Sequence, residues 1–145
     1  MTEFIITPLP SGEPDPAGLQ TVTVVSDGSY PCRRCLTRAA AGDRMLLLSY
    51  DPFTQRSPYA GPGPVYVHDE PCERHRGAAG AMPAQVAGSL LSLRGYDERA
   101  MLVDADVVEA AQACARVRTL LDDGAAFVHV HFARPGCFAF RVDGV

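Results

Sequence analysis

Residues 127–132, which read FVHVHF, decide the fold that this sequence predicts. On a β-strand alternate side chains share a face, so His129 and His131 point to one side while the two valines and the final phenylalanine point to the other. A second apolar run, at 138–142, follows a turn at 134–137 that contains proline and glycine. We therefore expect two neighbouring strands with one face in a core and another face that carries imidazoles.

Other segments predict six further strands and one helix. The strands are expected near 4–7 and at 20–26, 44–50, 64–68, 89–96 and 100–104. The continuous apolar run at 44–50 suits a central strand covered on both faces. The helix is expected over about 106–122, with Asp106 as N-cap and Glu109 three residues later. Because most connections are too short for a helical crossover, the sequence predicts an α+β fold, a mainly antiparallel sheet with one principal helix packed on it.

The composition is that of one globular domain, expected to span residues 1–145. Hydrophobic residues make up 47% of the chain and charged residues 21%, which excludes a disordered polar chain. The formal net charge of −4 argues against a non-specific nucleic-acid binder. All 13 basic residues are arginines, so catalysis through a lysine Schiff base is excluded.

Nothing in the sequence indicates a membrane-bound or secreted protein. No apolar run approaches the roughly 18–20 residues that span a bilayer, and the first residues lack the basic and long apolar regions of a signal peptide. We therefore expect a cytoplasmic protein with no membrane partner, in which the cysteines stay reduced. The odd number of cysteines, 5, also argues against a complete disulfide framework.

The two histidines of the FVHVHF strand are the most specific local feature. Side chains two apart on a strand lie roughly 7 Å apart, so His129 and His131 could share a metal ion or line a polar pocket. A half-exposed strand whose outer face happens to carry histidine is the third interpretation. The spacing alone leaves all three open.

A CxxC…CxxH pattern is formed by Cys32, Cys35, Cys72 and His75. In each half, two residues on a tight turn have the spacing with which zinc sites chelate an ion. The gap between the halves is longer than in a small zinc finger, but a folded domain can bridge it. The alternative is that Cys35 is simply buried and that His75, in a loop rich in alanine and glycine, binds nothing.

Cys32 and Cys137 each lie beside a turn-forming residue and outside any apolar stripe. The arginines at 33 and 34 are expected to favour the thiolate of Cys32 and to lower its pKa. A thiol nucleophile also needs a base, which His129 or His131 could supply only if the fold brings them near. Unreactive structural thiols are the alternative at both positions.

Several short motifs follow one another from the first third of the chain to its last residues. They are Tyr30-Pro31-Cys32-Arg33, Ser57-Pro58-Tyr59, Gly63-Pro64-Val65-Tyr66-Val67-His68, Leu93-Arg94-Gly95-Tyr96, Asp104-Ala105, and His129-Val130-His131 followed by Ala133-Arg134 and Gly136-Cys137-Phe138. In this order they resemble the bacterial family of Domain of Unknown Function 1203 (DUF1203). The resemblance covers the chain from about residue 20 onward and implies no assigned activity.

The resemblance changes the weight of the two cysteine interpretations. It implies that cysteines like Cys32 and Cys137 belong to the family pattern, and that His68 stands where an arginine is common. Three further residues depart from that pattern, namely Cys35, Cys72 and His75. These departures weaken the zinc interpretation and favour a shared pocket built from family motifs.

Three hypotheses follow. The first is a small-molecule or anion-binding pocket, in which guanidinium and imidazole groups hold a carboxylate or phosphate. Its expected lining is Arg33, Tyr59, Arg94, His129 and His131. An enzyme built on this pocket would use Cys32 or Cys137 as nucleophile.

The second hypothesis is a zinc-supported domain, with the ion held by the CxxC…CxxH residues or by the histidine pair, and zinc is the one cofactor that the sequence suggests. The third hypothesis is a non-catalytic homodimer. A sheet covered by a single helix leaves one face that a second copy could close.

Overall fold

The computed structural model describes residues 2–9, 20–24, 26–28 and 30–145, whose strands form two antiparallel sheets. In chain order the elements are β1 (Phe4–Thr7), β2 (Gln20–Thr23), β3 (Arg44–Tyr50), β4 (Gly63–His68), a short 3-10 helix (Ala84–Val86), β5 (Leu90–Tyr96), β6 (Leu102–Glu109), α1 (Ala110–Asp122), β7 (Phe127–Phe132) and β8 (Phe138–Gly144). The predicted α+β class, mainly antiparallel sheet with one principal helix, is confirmed.

The larger sheet has the strand order β1-β8-β7-β5-β6, with α1 packed on one face. That face carries the apolar side of β7, where Val128 and Val130 are fully buried together with Leu91 and Leu93 of β5 and Val117 of α1. The predicted pairing of the last two strands is confirmed, with Val128 of β7 opposite Val142 of β8. The opposite face of β7 therefore carries the histidines.

Because of a β-bulge, β8 contributes side chains to both cores of the molecule. Val130 pairs with Phe140 and His131 pairs with Phe138, so Ala139 is an extra residue in β8. An extra residue reverses the faces to which the flanking side chains point. Phe140 accordingly packs in the core under α1, whereas Phe138 packs in the core of the smaller sheet.

The smaller sheet has the strand order β2-β3-β4 and forms the second core. Met45, Val65 and Val67 are buried there against Cys32 and Phe138. β3 is the central strand of this sheet, as predicted, but it is not covered on both faces: residues 46–48 are only half-buried. Its continuous apolar run therefore does not indicate complete burial.

The helix begins at Ala110 rather than near residue 106, and β6 continues to Glu109. Asp106 does not cap the helix, because its carboxylate accepts hydrogen bonds from the backbone N–H of Val107 and from Nε of Arg116. Val107 and Val108 are β-branched and extend the pairing of β6 with β5. Strand pairing thus outweighs the capping pattern at these positions.

Two surface features bear on the predicted partners. In the part of the chain that the structure describes, no helix is long and apolar enough to cross a membrane. β6 lies at one edge of the larger sheet and exposes Val103 and Val107, which are 49% and 55% accessible. Homodimer formation stays a prediction, and an exposed edge of this kind is where a second copy could pair.

Candidate metal centre

A tight turn at residues 31–38 carries the CxxC pair. The backbone N–H of Cys32 donates to the carbonyl of Thr37 over 2.9 Å, and that of Leu36 donates to the carbonyl of Cys32 over 3.0 Å. Leu36 has a φ of 54°, a left-handed conformation that non-glycine residues seldom adopt. This turn brings the sulfur atoms of Cys32 and Cys35 within 4.8 Å of each other.

The end of β4 and the loop after it complete the group. His68 is the last residue of β4 and pairs with Met45 of β3, which fixes its position. Together, the donor atoms of Cys32, Cys35, His68 and Cys72 all lie within 4.8 Å of one another. Within the described ranges this is the one place where three or more potential metal ligands meet.

Two distances within this group match those of a tetrahedral zinc site. The sulfurs of Cys32 and Cys72 are 3.9 Å apart, and the sulfur of Cys35 is 3.6 Å from Nδ1 of His68. Zinc–sulfur bonds of about 2.3 Å and zinc–nitrogen bonds of about 2.1 Å place two sulfurs about 3.8 Å apart, and a sulfur and a nitrogen about 3.6 Å apart, at tetrahedral angles. The four side chains could hold zinc with little rearrangement.

Asp43 orients the histidine of this group. Nε2–H of His68 donates to Oδ2 of Asp43 over 3.1 Å, which leaves Nδ1 directed at the sulfurs. The backbone N–H of Ala40 also donates to this carboxylate, and both hydrogen bonds hold the pKa of Asp43 below its ordinary value. A carboxylate on the far nitrogen of a ligating imidazole is the usual second partner in zinc sites.

The thiols of Cys32 and Cys35 have pKa values that shift in opposite directions. The Cys32 thiol donates to Cys35, which lowers the pKa of Cys35 to about 4, with help from the hydroxyl of Thr37. This hydrogen bond, together with burial, raises the pKa of Cys32. The expected lowering at Cys32 is therefore wrong, because the hydrogen bond to Cys35 and burial both favour the protonated thiol.

His75, the predicted fourth ligand, lies outside the group. Its Nε2 accepts a hydrogen bond from the backbone N–H of Gly77 over 3.1 Å. His68 takes its place, so the CxxC half of the pattern is in the group and the CxxH half contributes only Cys72.

The histidine pair of β7 has a different environment. His129 is fully buried, and neither of its ring nitrogens has a hydrogen-bond partner among the described residues. Four rings surround it at centroid distances of 4.7–5.3 Å, those of Phe53, Tyr96, Phe127 and Phe138. Burial above all, and then the charges of His131, Arg141 and Arg94, lower the pKa of His129 to about 3.

His131 is held by a hydrogen bond from its Nδ1–H to the carbonyl of Gly136, over 3.0 Å. Burial lowers its pKa to about 4, despite this hydrogen bond. No third cysteine, histidine or carboxylate joins His129 and His131 in the described part of the chain. The structure thus offers no metal-ligand set at this pair.

The other predicted pocket residues lie in two places. Arg94 pairs with His129 across β5 and β7, and the ring of Tyr59 lies 5.7 Å from that of Tyr96. Arg33 lies elsewhere, in contact with Cys137, whose sulfur accepts a hydrogen bond from Nη2 over 2.9 Å. The structure thus places Arg94 beside the buried His129, whereas Tyr59 reaches it only through the ring of Tyr96.

Neither possible nucleophile contacts the predicted bases, His129 and His131, among the described residues. The sulfur of Cys32 accepts from the backbone N–H of His68, and that of Cys137 accepts from Arg33. No imidazole nitrogen of His129 or His131 hydrogen bonds to either sulfur among the described residues.

Comparison with known families identifies the chain. The model of the family described as "Protein of unknown function (DUF1203)" matches residues 29–144. The chain belongs to this family. No curated protein and no solved structure matches it.

Sequence reasoning missed two members of the centre in this DUF1203 protein, His68 and Asp43. A signal for the first was present: on the predicted strand at 64–68, alternation places His68 opposite the buried face of Val65 and Val67, at the strand end. No local signal indicated Asp43, because its contact with His68 depends on how β3 and β4 pair.

Proposed function

We propose that Cys32, Cys35, His68 and Cys72 bind one zinc ion, and that this ion has a structural role. The observation that carries the proposal is the convergence of the four donor atoms within 4.8 Å, with two of their separations at tetrahedral spacing. Three thiolates and one imidazole form a soft donor set that favours zinc over magnesium or calcium.

A structural role is supported by the number and source of the ligands. Four protein ligands fill a tetrahedral zinc ion and leave no open position for a substrate, unlike the three ligands of catalytic sites. The ion would join the turn at 31–38, the end of β4 and the loop after it. These segments enclose the smaller core, whose limited apolar burial makes a cross-link valuable.

The surroundings of the sulfurs also support metal binding. The backbone N–H of His68 donates to the sulfur of Cys32 over 3.4 Å, and N–H groups of this kind stabilise a thiolate. The low pKa of Cys35 supplies a thiolate before the ion arrives. The Asp43 carboxylate adds negative charge behind the imidazole.

The test is the zinc content of the full chain, purified under reducing conditions and measured by elemental analysis. We expect about one zinc ion per chain. Cobalt added to the metal-free protein should give the absorption of a tetrahedral cobalt–thiolate centre. The Cys72→Ser variant should lose the ion, whereas the matched control Cys114→Ser, on α1 and outside the group, should retain it.

Two results would overturn the proposal. One is a reduced, folded chain that takes up no zinc or cobalt from solution. The other is Cys72→Ser binding zinc as tightly as the unchanged chain. A disulfide among these cysteines in metal-free protein, found by mass spectrometry and absent after reduction, must be removed before either result is read.

A further inference from the structure

A cleft of about 920 Å³ opens between the two sheets. Its walls come from β3 and β4 of the smaller sheet, from β5 and β7 of the larger sheet, and from the start of α1. A space of this size is that of a small-molecule site. Among the described residues that line it, none is a ligand of the proposed metal centre, so the two regions are chemically distinct.

The cleft carries an excess of positive charge. Its charged lining residues are Arg33, Arg38, Arg134 and Glu109. In the described ranges none of these arginines forms an ion pair with a carboxylate. Arg116 and Arg141, away from the cleft, are both paired with aspartates. The contrast indicates that the cleft arginines lack a counter-charge of their own.

Arg33 shows this most clearly, because it is a cation with only 1% of its surface exposed. Its guanidinium donates to the carbonyls of Phe138 and Pro31, over 2.8 and 2.9 Å, and to the sulfur of Cys137. These partners fix the orientation of the group without a carboxylate to balance its charge. At this exposure the guanidinium is closed to direct contact with a ligand, so it acts on an anion in the cleft through its charge. An anion beside it would lower the cost of burying the charge.

Aromatic rings form the apolar part of the cleft. The guanidinium carbons of Arg33 and Arg38 lie 5.3 and 5.7 Å from the centroid of the Phe132 ring. The rings of Tyr30 and Tyr66 lie 4.6 Å apart and form a second surface. Two positive groups over one ring, next to flat apolar walls, suit a ligand with a charged head and an apolar body.

We propose that this cleft binds a small organic anion, whose carboxylate or phosphate pairs with the exposed Arg38 and Arg134 near the buried charge of Arg33, and whose apolar part lies against Phe132 and Tyr66. Arginine forks hold such head groups with two parallel hydrogen bonds. α1 begins at the wall, and its N-cap residue Glu109 makes no side-chain cap hydrogen bond, so the first N–H groups of the helix add to the positive potential beside this one carboxylate.

The test is a titration of the zinc-supplemented full chain with four probes, followed by NMR chemical shifts and calorimetry. Phenyl phosphate and phenylacetate carry the two candidate head groups, benzyl alcohol has no charge, and inorganic phosphate has no apolar body. We expect saturable binding of at least one of the two aromatic anions, with shifts at Phe132 and Ala111. Benzyl alcohol and inorganic phosphate should each bind at least about tenfold more weakly, because the first lacks the charged head group and the second lacks the apolar body.

Arginine variants locate the binding. Arg134→Gln removes an exposed cleft charge that makes no hydrogen bond within the described structure, so it should fold normally and weaken the aromatic anion several-fold. Arg38→Gln should weaken it about tenfold, and Arg38→Lys should not fully restore it because lysine lacks the fork. Arg99→Gln, which removes the same charge from the exposed β5–β6 turn, is the matched control and should bind as the unchanged chain does.

The proposal is overturned if neither aromatic anion saturates, or if benzyl alcohol binds equally well. It is also overturned if Arg134→Gln and Arg38→Gln bind like Arg99→Gln. Since no metal ligand takes part, any of these results leaves the zinc proposal standing, and a chain that binds the anion but no zinc overturns only the latter.

Discussion

The CxxC turn and the HxH strand begin alike, as two metal-ligand side chains at short spacing, and the fold surrounds them in opposite ways. At the turn, Cys32 and Cys35 meet an imidazole and a third thiol. On the strand, His129 meets four aromatic rings and no hydrogen-bond partner within the described residues. The difference lies in the segments that pack opposite each pair, which come from distant parts of the chain.

Electrostatics separates the two regions as well. At the turn, the neighbours favour the charged form of Cys35 and lower its pKa to about 4. Around His129, burial and the charges of Arg94 and Arg141 favour the neutral imidazole and lower its pKa to about 3. The thiol turn therefore carries negative charge that attracts a cation, whereas the surroundings of His129 disfavour a positive charge. Spacing in the sequence does not reveal this difference.

The largest expected effect is that of removing zinc from the thiol centre. An ion that binds only the folded chain, at a free concentration about 1,000 times its dissociation constant, contributes about 4 kcal/mol to the free energy of unfolding. We expect the midpoint of thermal unfolding to fall by about 10 °C or more when a chelator is added. Calorimetry with zinc and with chelator measures it.

The control for zinc removal is Cys72→Ser, which should melt low in both solutions because it has already lost the ion. If the unchanged chain melts at the same temperature with and without chelator, then no ion bound at the thiol centre stabilises the fold. The contrast between the regions would then disappear.

The next effect is that of acid on the histidine strand. Above pH 6.5 His129 is neutral in both the folded and the unfolded chain. As the pH falls from 6.5 towards 3, the unfolded chain binds a proton that the folded chain does not, so stability is lost. From pH 6.5 to 4.5 this amounts to about 2 kcal/mol for His129. Urea unfolding at these two pH values measures the loss.

The matched comparison for the acid effect is His129→Leu, because acid would also protonate the ligands of the proposed zinc site in both proteins. Subtracting the stability loss of the variant from that of the unchanged chain gives the part of the loss that is due to the His129 imidazole. Equal losses would mean that His129 takes up its proton in the folded chain, which contradicts a sealed, neutral ring.

How far the sequence predicts these regions depends on the range of the contacts. The strand pair β7–β8 and the faces of His129 and His131 follow from alternation, which is a local property. The helix start does not, because the pairing of β6 with β5 competes with the capping pattern at Asp106. Tertiary pairing decided that boundary.

The candidate metal centre shows the same limit. Cys32, Cys35 and Cys72 stand out by spacing, whereas His68 joins them only because β3 and β4 pair so that the strand end faces the CxxC turn. Against the family pattern, Cys35, Cys72 and His68 are departures, and these are three of the four residues that the fold brings together. A departure from a pattern can therefore mark a site as well as exclude one.

A smaller effect is expected from the carboxylate behind the metal centre. Asp43→Asn should weaken zinc about tenfold, because the amide is a weaker partner for Nε2–H of His68 and no longer adds negative charge. Competition with a coloured chelator measures the affinity. Asp69→Asn, which removes an aspartate paired with Arg44 beside the same strands, is the control and should change it little. Equal weakening in both variants would indicate a general charge effect.

The smallest expected effect is that of His129→Leu near pH 7.5, and its sign matters more than its size. A neutral imidazole whose two nitrogens have no hydrogen-bond partner among the described residues pays for desolvation without compensation, so an apolar side chain of similar volume should be neutral or stabilising by about 1 kcal/mol. His131→Leu should destabilise instead, because it leaves the carbonyl of Gly136 without its donor. Urea unfolding of both variants compares them. A loss of about 2 kcal/mol or more in the free energy of unfolding of His129→Leu would contradict this expectation. It would indicate that the ring nitrogens have a polar partner, as the side chains of the thiol centre do.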